Sequence, residues 1–174
     1  MDIQALKAQC KEIRRDIISM LTLAGSDHPG GSLSAVEIIE ALYGYKMNVD
    51  PKKPDMPERD RFVLSKGHAA PVLYATLANN GFFDKEELKY LRKMGAMLQG
   101  HPDRNKCPGV EASTGSLGQG VSIATGMALG LKTMNGKQHV YTLLGDGECQ
   151  EGMVWEALMA ASHYKLDKDR KSVV

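Results

Sequence analysis

A short apolar run that stops at a Gly-Asp-Gly turn constrains this chain more than any other stretch. Residues 140–144 are mostly apolar with a β-branched flank, which predicts a buried strand. The strand ends at Gly145-Asp146-Gly147, and glycine lets a backbone turn sharply and approach a ligand closely. Because ligands of open α/β sheets bind at the carboxyl ends of strands, Asp146 is a candidate ligand-binding residue.

An isolated carboxylate at a strand end suits a hard divalent cation that also bridges the phosphates of a ligand. The segment is therefore interpreted as a Mg²⁺–diphosphate site, and a tight turn with a solvated aspartate is the alternative. Two other phosphate motifs are excluded. Gln150 stands where a dinucleotide fingerprint needs its third glycine, and Gln138 stands where a P-loop needs serine or threonine.

Composition and charge exclude several classes of protein. The 174 residues, 43% of them hydrophobic, fit one partial diphosphate-binding domain over residues 1–174. A formal net charge of +1 indicates neither nucleic acid nor a membrane surface as partner. Three separated cysteines without a C-x-x-C pair predict neither a disulfide framework nor a zinc site. With no signal peptide and no run of membrane-spanning length, we expect a cytoplasmic protein.

Hydrophobic periodicity predicts two helices at the start of the chain. Apolar residues spaced alternately by three and four predict an amphipathic helix over residues 3–24, which Gly25 ends. Ser34 and Glu37 form a capping-box pattern, which predicts a second helix that begins at Ser34 and closes at Gly44.

The middle of the chain predicts a strand, a helix and a glycine-rich turn. Residues 61–65 have the pattern of a strand and residues 69–79 that of a helix, with His68 at their junction. Residues 113–120 are rich in glycine and precede a helix of small residues from 121 to about 132. This turn is either an anion cradle at a helix N-terminus or the start of a closely packed helix. Both alternatives stay open on these residues alone.

Five segments taken together resemble transketolases, a family of thiamine-diphosphate-dependent enzymes. They occur in the family's order at residues 27–34, 64–69, 100–102, 114–120 and 145–152. The resemblance extends to about residue 167 and concerns the first part of the family's diphosphate-binding domain. It implies a three-layer α/β/α fold with a mainly parallel sheet, whose final strands we expect to be missing here.

The resemblance also implies residues that bind thiamine diphosphate and Mg²⁺. Asp146 matches the family's first Mg²⁺ ligand, and Gly147 matches a neighbouring backbone contact to the cofactor. The other implied cofactor-binding residues are His68, Gly115, Ser116, Leu117, Gly145, Glu151 and Glu156. The two glutamates match positions associated with the dimer interface and with communication between active sites. A general preference for acidic residues at helix N-termini is the alternative for this pair.

Two histidines are implied as catalytic residues. His28 and His101 match family histidines that contact the hydroxyls of the donor sugar and assist proton transfer. An ordinary surface histidine is the alternative for each. The implied reaction moves a two-carbon ketol unit from a ketose phosphate to an aldose phosphate, with the cofactor supplying the carbanion. We expect both histidines to line the same cleft as Asp146.

The sequence departs from the family in several places. The family's second metal ligand, an asparagine, would lie about thirty residues after Asp146, past Val174. Residues 167–171 are polar where an apolar strand is expected, and Asp27 replaces the glycine that usually precedes His28. The family's pyrimidine-binding domain has no counterpart. We therefore expect a truncated N-terminal section that needs a separate C-terminal-section subunit, in a homodimer or heterotetramer.

Two other functions stay open. The chain could be a catalytically inactive fragment or dimerisation module of the same fold. It could also belong to a related thiamine diphosphate enzyme such as a deoxyxylulose phosphate synthase, although Gly100-His101-Pro102 argues against this.

Overall fold

The computed structural model describes residues 2–26 and 28–166. The predictions that concern Asp27 and the tail from residue 167 lie outside the described residues. The α-helices are α1 (Ile3–Ala24), α2 (Gly30–Leu33), α3 (Val36–Ala41), α4 (Ala70–Asn79), α5 (Gln119–Thr133) and α6 (Gly152–His163), and the strands are β1 (Arg61–Leu64) and β2 (Val140–Leu143).

Helix α1 confirms the prediction made from periodicity. The Asp2 side chain caps it by accepting hydrogen bonds from the backbone N–H groups of Gln4 and Ala5. Gly25 ends it in the left-handed conformation, with φ at 59°. Its buried face is formed by Cys10, Ile13, Ile17, Met20 and Leu21. No helix in the described part of the chain is both long and apolar enough to cross a membrane.

The predicted second helix is wrong in its start and its end. Ser34 does not cap a helix, because it lies at the C-terminus of α2 and its hydroxyl donates to the Gly31 carbonyl at 3.3 Å. Glu37 does not reach back to Ser34, because it forms an ion pair with Arg14 of α1 at 2.6 Å. Gly44 does not close the helix, since α3 continues into a π-helical turn at Leu42–Lys46.

The two strands form a parallel pair in which Arg61 lies opposite Val140 and Leu64 opposite Leu143. Alternate residues face opposite sides of the sheet. One face packs into a large apolar core shared with α1, α3 and α4, and its strand residues are Phe62, Leu64, Tyr141 and Leu143. The other face packs against α5 through a core that contains Val63, Val140, Ala124, Ala128 and Leu131. Helices on both faces of a parallel sheet confirm the three-layer α/β/α prediction.

Candidate functional site

An open cleft of about 380 Å³ lies where both strands end at their carboxyl termini, beside the turn before α5. Its lining combines four glycines with charged and polar side chains. The lining residues are Gly30, Gly31, Ser34, Lys66, His68, Leu117, Gly145, Asp146, Gly147 and Glu148. This is the edge of a parallel sheet at which ligands of open α/β proteins bind.

Asp146 lies three residues after β2, at the start of the 3₁₀ turn Gly147–Gln150. The Cys149 N–H donates to the carbonyl oxygens of Gly145 and Asp146, each at 3.2 Å, and so closes this turn. The Asp146 side chain is exposed. Its carboxylate has no hydrogen-bond or ion-pair partner within residues 2–26 and 28–166, so its oxygens are available to a ligand.

Glu148 is a site residue that the sequence analysis missed. Only 2% of it is exposed, and both of its carboxylate oxygens accept hydrogen bonds. One oxygen accepts from the Ser65 hydroxyl and, at 2.9 Å, from the Gly118 N–H; the other accepts from the Gly145 N–H at 2.9 Å. The local sequence pattern does not show that Glu148 points inward while Asp146 points outward. The 3₁₀ turn Gly147–Gln150 sets these two orientations.

Lys66 is the second residue that was missed. It is 8% exposed, and its ammonium donates to the Gly31 carbonyl at 3.1 Å across the cleft. Burial lowers the pKa of Lys66, while Asp146 and Glu148 act in the opposite direction by attracting its charge. A buried cation beside the exposed Asp146 allows the cleft to hold both an anion and a metal ion.

Two glycines let the backbone segments around the cleft approach closely. A Cβ placed on Gly67 would lie 2.7 Å from the backbone of Thr114, and one on Gly120 would lie 2.5 Å from the Ser65 Cα. The Thr114 hydroxyl also donates to the Leu64 carbonyl at 2.7 Å. The glycine-rich turn is thus bonded to the end of β1. Its glycines also allow the start of helix α5 to pack closely against Ser65.

Five of the residues predicted from the sequence line the cleft, namely His68, Leu117, Gly145, Asp146 and Gly147. Gly115 and Ser116 immediately precede Leu117, in the turn before α5. A Cβ placed on Gly115 would lie 3.3 Å from Cδ2 of His101, so the imidazole lies against this turn.

The remaining predicted residues, His28, His101, Glu151 and Glu156, are not among those that line the cleft. His28 is exposed and has a left-handed backbone with φ at 72°, two residues before Gly30. Glu151 precedes α6, and its Cβ lies 3.2 Å from the position of a Cβ on Gly118. Glu156 is exposed on α6.

The donor set fits a metal-bound diphosphate. Among residues 2–26 and 28–166 no group of three or more histidine, cysteine, aspartate or glutamate side chains could hold a metal. A cation at Asp146 would therefore take further ligands from phosphate oxygens and water, as Mg²⁺ commonly does. There is room for such a group, because a Cβ on Gly147 would meet nothing within 4 Å.

Comparison with known proteins defines the class. Residues 6–169 match the family described as transketolase, thiamine diphosphate binding domain, and the chain belongs to this family. The transketolase of Campylobacter jejuni superposes on 96% of the chain with a TM-score of 0.90 and 38% identity, and the chain covers 27% of that protein.

Two curated relatives show how much of longer proteins the chain spans. It is 46% identical over 162 residues to the 6-deoxy-6-sulfo-D-fructose transketolase subunit of a Clostridium species, covering 93% of this chain and 59% of that subunit. It is 48% identical over 166 residues to human transketolase, covering 95% of this chain and 26% of the human protein. The chain therefore spans just over half of one relative and about a quarter of the other.

Proposed function

We propose that this chain is the N-terminal section of a transketolase that binds Mg²⁺ and thiamine diphosphate in the cleft around Asp146. It transfers a two-carbon ketol unit from a ketose phosphate to an aldose phosphate, together with a separate subunit that carries the pyrimidine-binding domain. The observation that carries this proposal is the arrangement of the cleft. An exposed carboxylate with no partner among residues 2–26 and 28–166, a buried lysine and glycine turns meet at the carboxyl ends of two parallel strands.

When bound, thiamine diphosphate supplies the carbanion and the electron sink of the reaction. Asp146 holds the Mg²⁺ that neutralises the diphosphate, and Gly145 and Gly147 let the backbone approach it. His68 contacts the diphosphate from the turn after β1, and residues 115–117 contact it from the turn before α5. In this proposal residues 1–174 form one partial diphosphate-binding domain.

His28 and His101 contact the sugar hydroxyls and exchange protons with the substrate. The position of His101 is supported by Tyr74, whose hydroxyl donates to the carbonyl oxygens of Gln99 and His101 at 3.0 and 2.9 Å. These bonds fix the backbone that carries the imidazole against Gly115. Such rigidity suits a residue that must meet a substrate in one orientation.

The assembly is proposed from two observations. Relatives that match the chain are named as subunits, which supports a separate partner subunit. Helix α6 exposes four large hydrophobic side chains, and three of them, Trp155, Leu158 and Met159, share one face of the helix by their spacing. Such a patch is typical of a covered interface. We assign this face to a second copy of the chain, with Glu151 and Glu156 beside it, in a cytoplasmic homodimer or heterotetramer. The four side chains are Met153, Trp155, Leu158 and Met159.

The substrates are proposed as sugar phosphates. The relatives' names include an apulose 4-phosphate and a 6-deoxy-6-sulfo-D-fructose enzyme. Both names describe a sugar with an anionic group, so the sulfonated ketose is worth assaying beside the phosphates.

A complementation assay tests the proposal. The chain and a C-terminal-section transketolase subunit are assayed for ketol transfer separately and mixed, with Mg²⁺ and thiamine diphosphate present. Turnover only in the mixture, abolished by Asp146→Ala and retained by Asp55→Ala, is the expected result. Asp55 is a suitable control because it is an exposed aspartate on a different loop. A mixture that binds the cofactor but never turns over would favour the inactive-fragment alternative.

A further inference from the structure

We propose that Glu148 is a positioning residue, which sets the Asp146 turn and the N-terminus of α5 at their binding distance before any ligand arrives. This inference rests on the proposed function, because it names what orients the metal-binding carboxylate. Glu148 borders the cleft, but both of its carboxylate oxygens are taken up by hydrogen bonds within the protein, so it acts through the residues that it holds.

The contacts of Glu148 join three separate segments of the chain. Its carboxylate accepts from the Gly145 N–H at the end of β2, from the Gly118 N–H before α5, and from the Ser65 hydroxyl after β1. Gly118 is separated from Gly145 by 27 positions and from Ser65 by 53 in the printed sequence. One buried side chain therefore bonds to three segments that are distant from one another in the sequence.

The hydroxyl of Ser65 shows how the network is oriented. Its oxygen accepts a hydrogen bond from the Val121 N–H in the first turn of α5 at 3.1 Å, and its O–H donates a hydrogen bond to Glu148. Both oxygens of Glu148 thus act as acceptors, which is the pattern of an ionised carboxylate. Hydrogen bonds to a charged group are stronger than those between neutral groups.

The position of the two amides explains why this network would matter for binding. Gly145 lines the cleft directly before Asp146, and Gly118 directly follows Leu117, which also lines it. One buried carboxylate therefore bonds to both of these segments of the cleft lining. Groups that orient a metal ligand from behind commonly change metal affinity by about 10- to 100-fold when they are removed.

Glu148→Gln tests the role with almost no change of shape. A glutamine has one oxygen and one NH₂ group, so at least one of the Gly118 and Gly145 amides must face a donor instead of an acceptor. The matched control is Asp60→Asn, since Asp60 is another buried carboxylate that accepts from two backbone amides at the opposite edge of the same strands.

Two readouts are measured on each variant, after circular dichroism has confirmed folding. Amide proton shifts and exchange rates of Gly118 and Gly145 are read by NMR in the ligand-free chain. Affinity for thiamine diphosphate with Mg²⁺ is read by calorimetry. For Glu148→Gln we expect exchange at these amides to accelerate by at least about tenfold and affinity to fall by about 10- to 100-fold. Asp60→Asn should leave both readouts as in the wild type.

The possible results separate this inference from the proposed function. Unchanged exchange in Glu148→Gln, or faster exchange with wild-type affinity, overturns the positioning role. If the wild-type chain binds no thiamine diphosphate, the proposed function fails, and the exchange data alone decide whether Glu148 positions the turn. If Glu148→Gln does not fold, Ser65→Ala is measured in the same way. Selectively faster exchange at Gly118 and weaker binding support the role, and an unchanged variant overturns it.

Discussion

A buried carboxylate stabilises each end of the strand pair by accepting hydrogen bonds from backbone amides, but the side chains around the two carboxylates differ. At the amino end, Asp60 accepts from the backbone N–H groups of Asn48 and His139, at 2.9 and 2.7 Å. At the carboxyl end, Glu148 accepts from the N–H groups of Gly118 and Gly145, both at 2.9 Å. Each buried carboxylate joins a strand to a distant loop and satisfies amides that would otherwise be buried without a partner.

The difference lies in what surrounds each carboxylate. Around Asp60, His139 lies with its Nδ1 3.5 Å from the carboxylate, and the open cleft beside it is lined by Lys46, Glu58 and Lys137 and by no glycine turn. Around Glu148, Asp146 is exposed with no partner in the described part of the chain, and Lys66 is buried with a hydrogen bond to the Gly31 carbonyl. A buried, fully bonded carboxylate is therefore not by itself the mark of a site. What marks the carboxyl edge is the combination of an exposed carboxylate, a buried lysine and glycine turns.

The carboxyl edge should tolerate added volume at one glycine of α5 and not at another. Gly120→Ala places a methyl group 2.5 Å from the Ser65 Cα, and backbone cannot yield as a flexible side chain can. We expect a loss of about 3 kcal/mol in the free energy of unfolding. The control Gly126→Ala meets nothing within 4 Å and should raise it by about 0.5–1 kcal/mol, as alanine favours helix. Chemical denaturation measures both, and equal midpoints would refute the close approach.

At the amino edge, stability should change without binding. Asp60→Ala leaves the amides of Asn48 and His139 without their acceptor, and we expect a loss of about 2 kcal/mol in the free energy of unfolding. The affinity of the remaining folded protein for Mg²⁺ and thiamine diphosphate should stay within about twofold of the wild type, because the site lies at the other end of the strands. A tenfold loss of affinity by calorimetry would break the distinction between the two edges.

Replacing Lys66 should change the affinity for the ligand without much change in stability, the reverse of the effect expected for Asp60. Lys66→Met keeps the apolar stem but removes the charge, so we expect affinity for the diphosphate group to fall by about tenfold. The unfolding free energy should change by less than about 1 kcal/mol, because the lost bond to Gly31 is offset by relief from burying a charge. Calorimetry and denaturation check the two effects separately.

The pH dependence of Lys66→Met provides a further check. Burial lowers the pKa of Lys66 below its ordinary 10.5, so the folded chain binds the proton of this ammonium less tightly than the unfolded chain does. The wild type should therefore gain stability relative to Lys66→Met as the pH rises through the lowered pKa towards 10.5, and lose this gain as the pH falls. Denaturation curves at several alkaline pH values measure the difference, and a constant difference would contradict the burial of the charge.

Periodicity predicted most of the fold because it reports which side chains are buried. Helix α1 follows the predicted residues 3–24, and both strands lie where apolar runs placed them. The helix predicted to run from Ser34 to Gly44 failed for a tertiary reason. Glu37 pairs with α1, and a Cβ on Gly44 would lie 2.4 Å from the Glu40 carboxylate, so this glycine permits packing instead of ending the helix.

The candidate site was predicted only where a residue belongs to a motif. Asp146 and the glycine turns could be proposed from the sequence because strand ends and glycines are evident in it, and the structure places them beside one cleft. Glu148 and Lys66 were missed because their roles depend on partners distant in sequence, Gly118 and Gly31 respectively. Hydrogen bonds between such separated groups appear only once the fold brings them together.

The central claim is that the edge around Asp146 binds Mg²⁺ with thiamine diphosphate while the edge around Asp60 does not. The direct measurement is an NMR titration of the chain with thiamine diphosphate, with and without Mg²⁺, which reads amide shifts at both edges. We expect Mg²⁺-dependent shifts in residues 115–118 and 145–148, little change in residues 46–60 and 137–139, and no response in Asp146→Ala. Shifts centred on the Asp60 edge, or a response that survives Asp146→Ala unchanged, would contradict this claim.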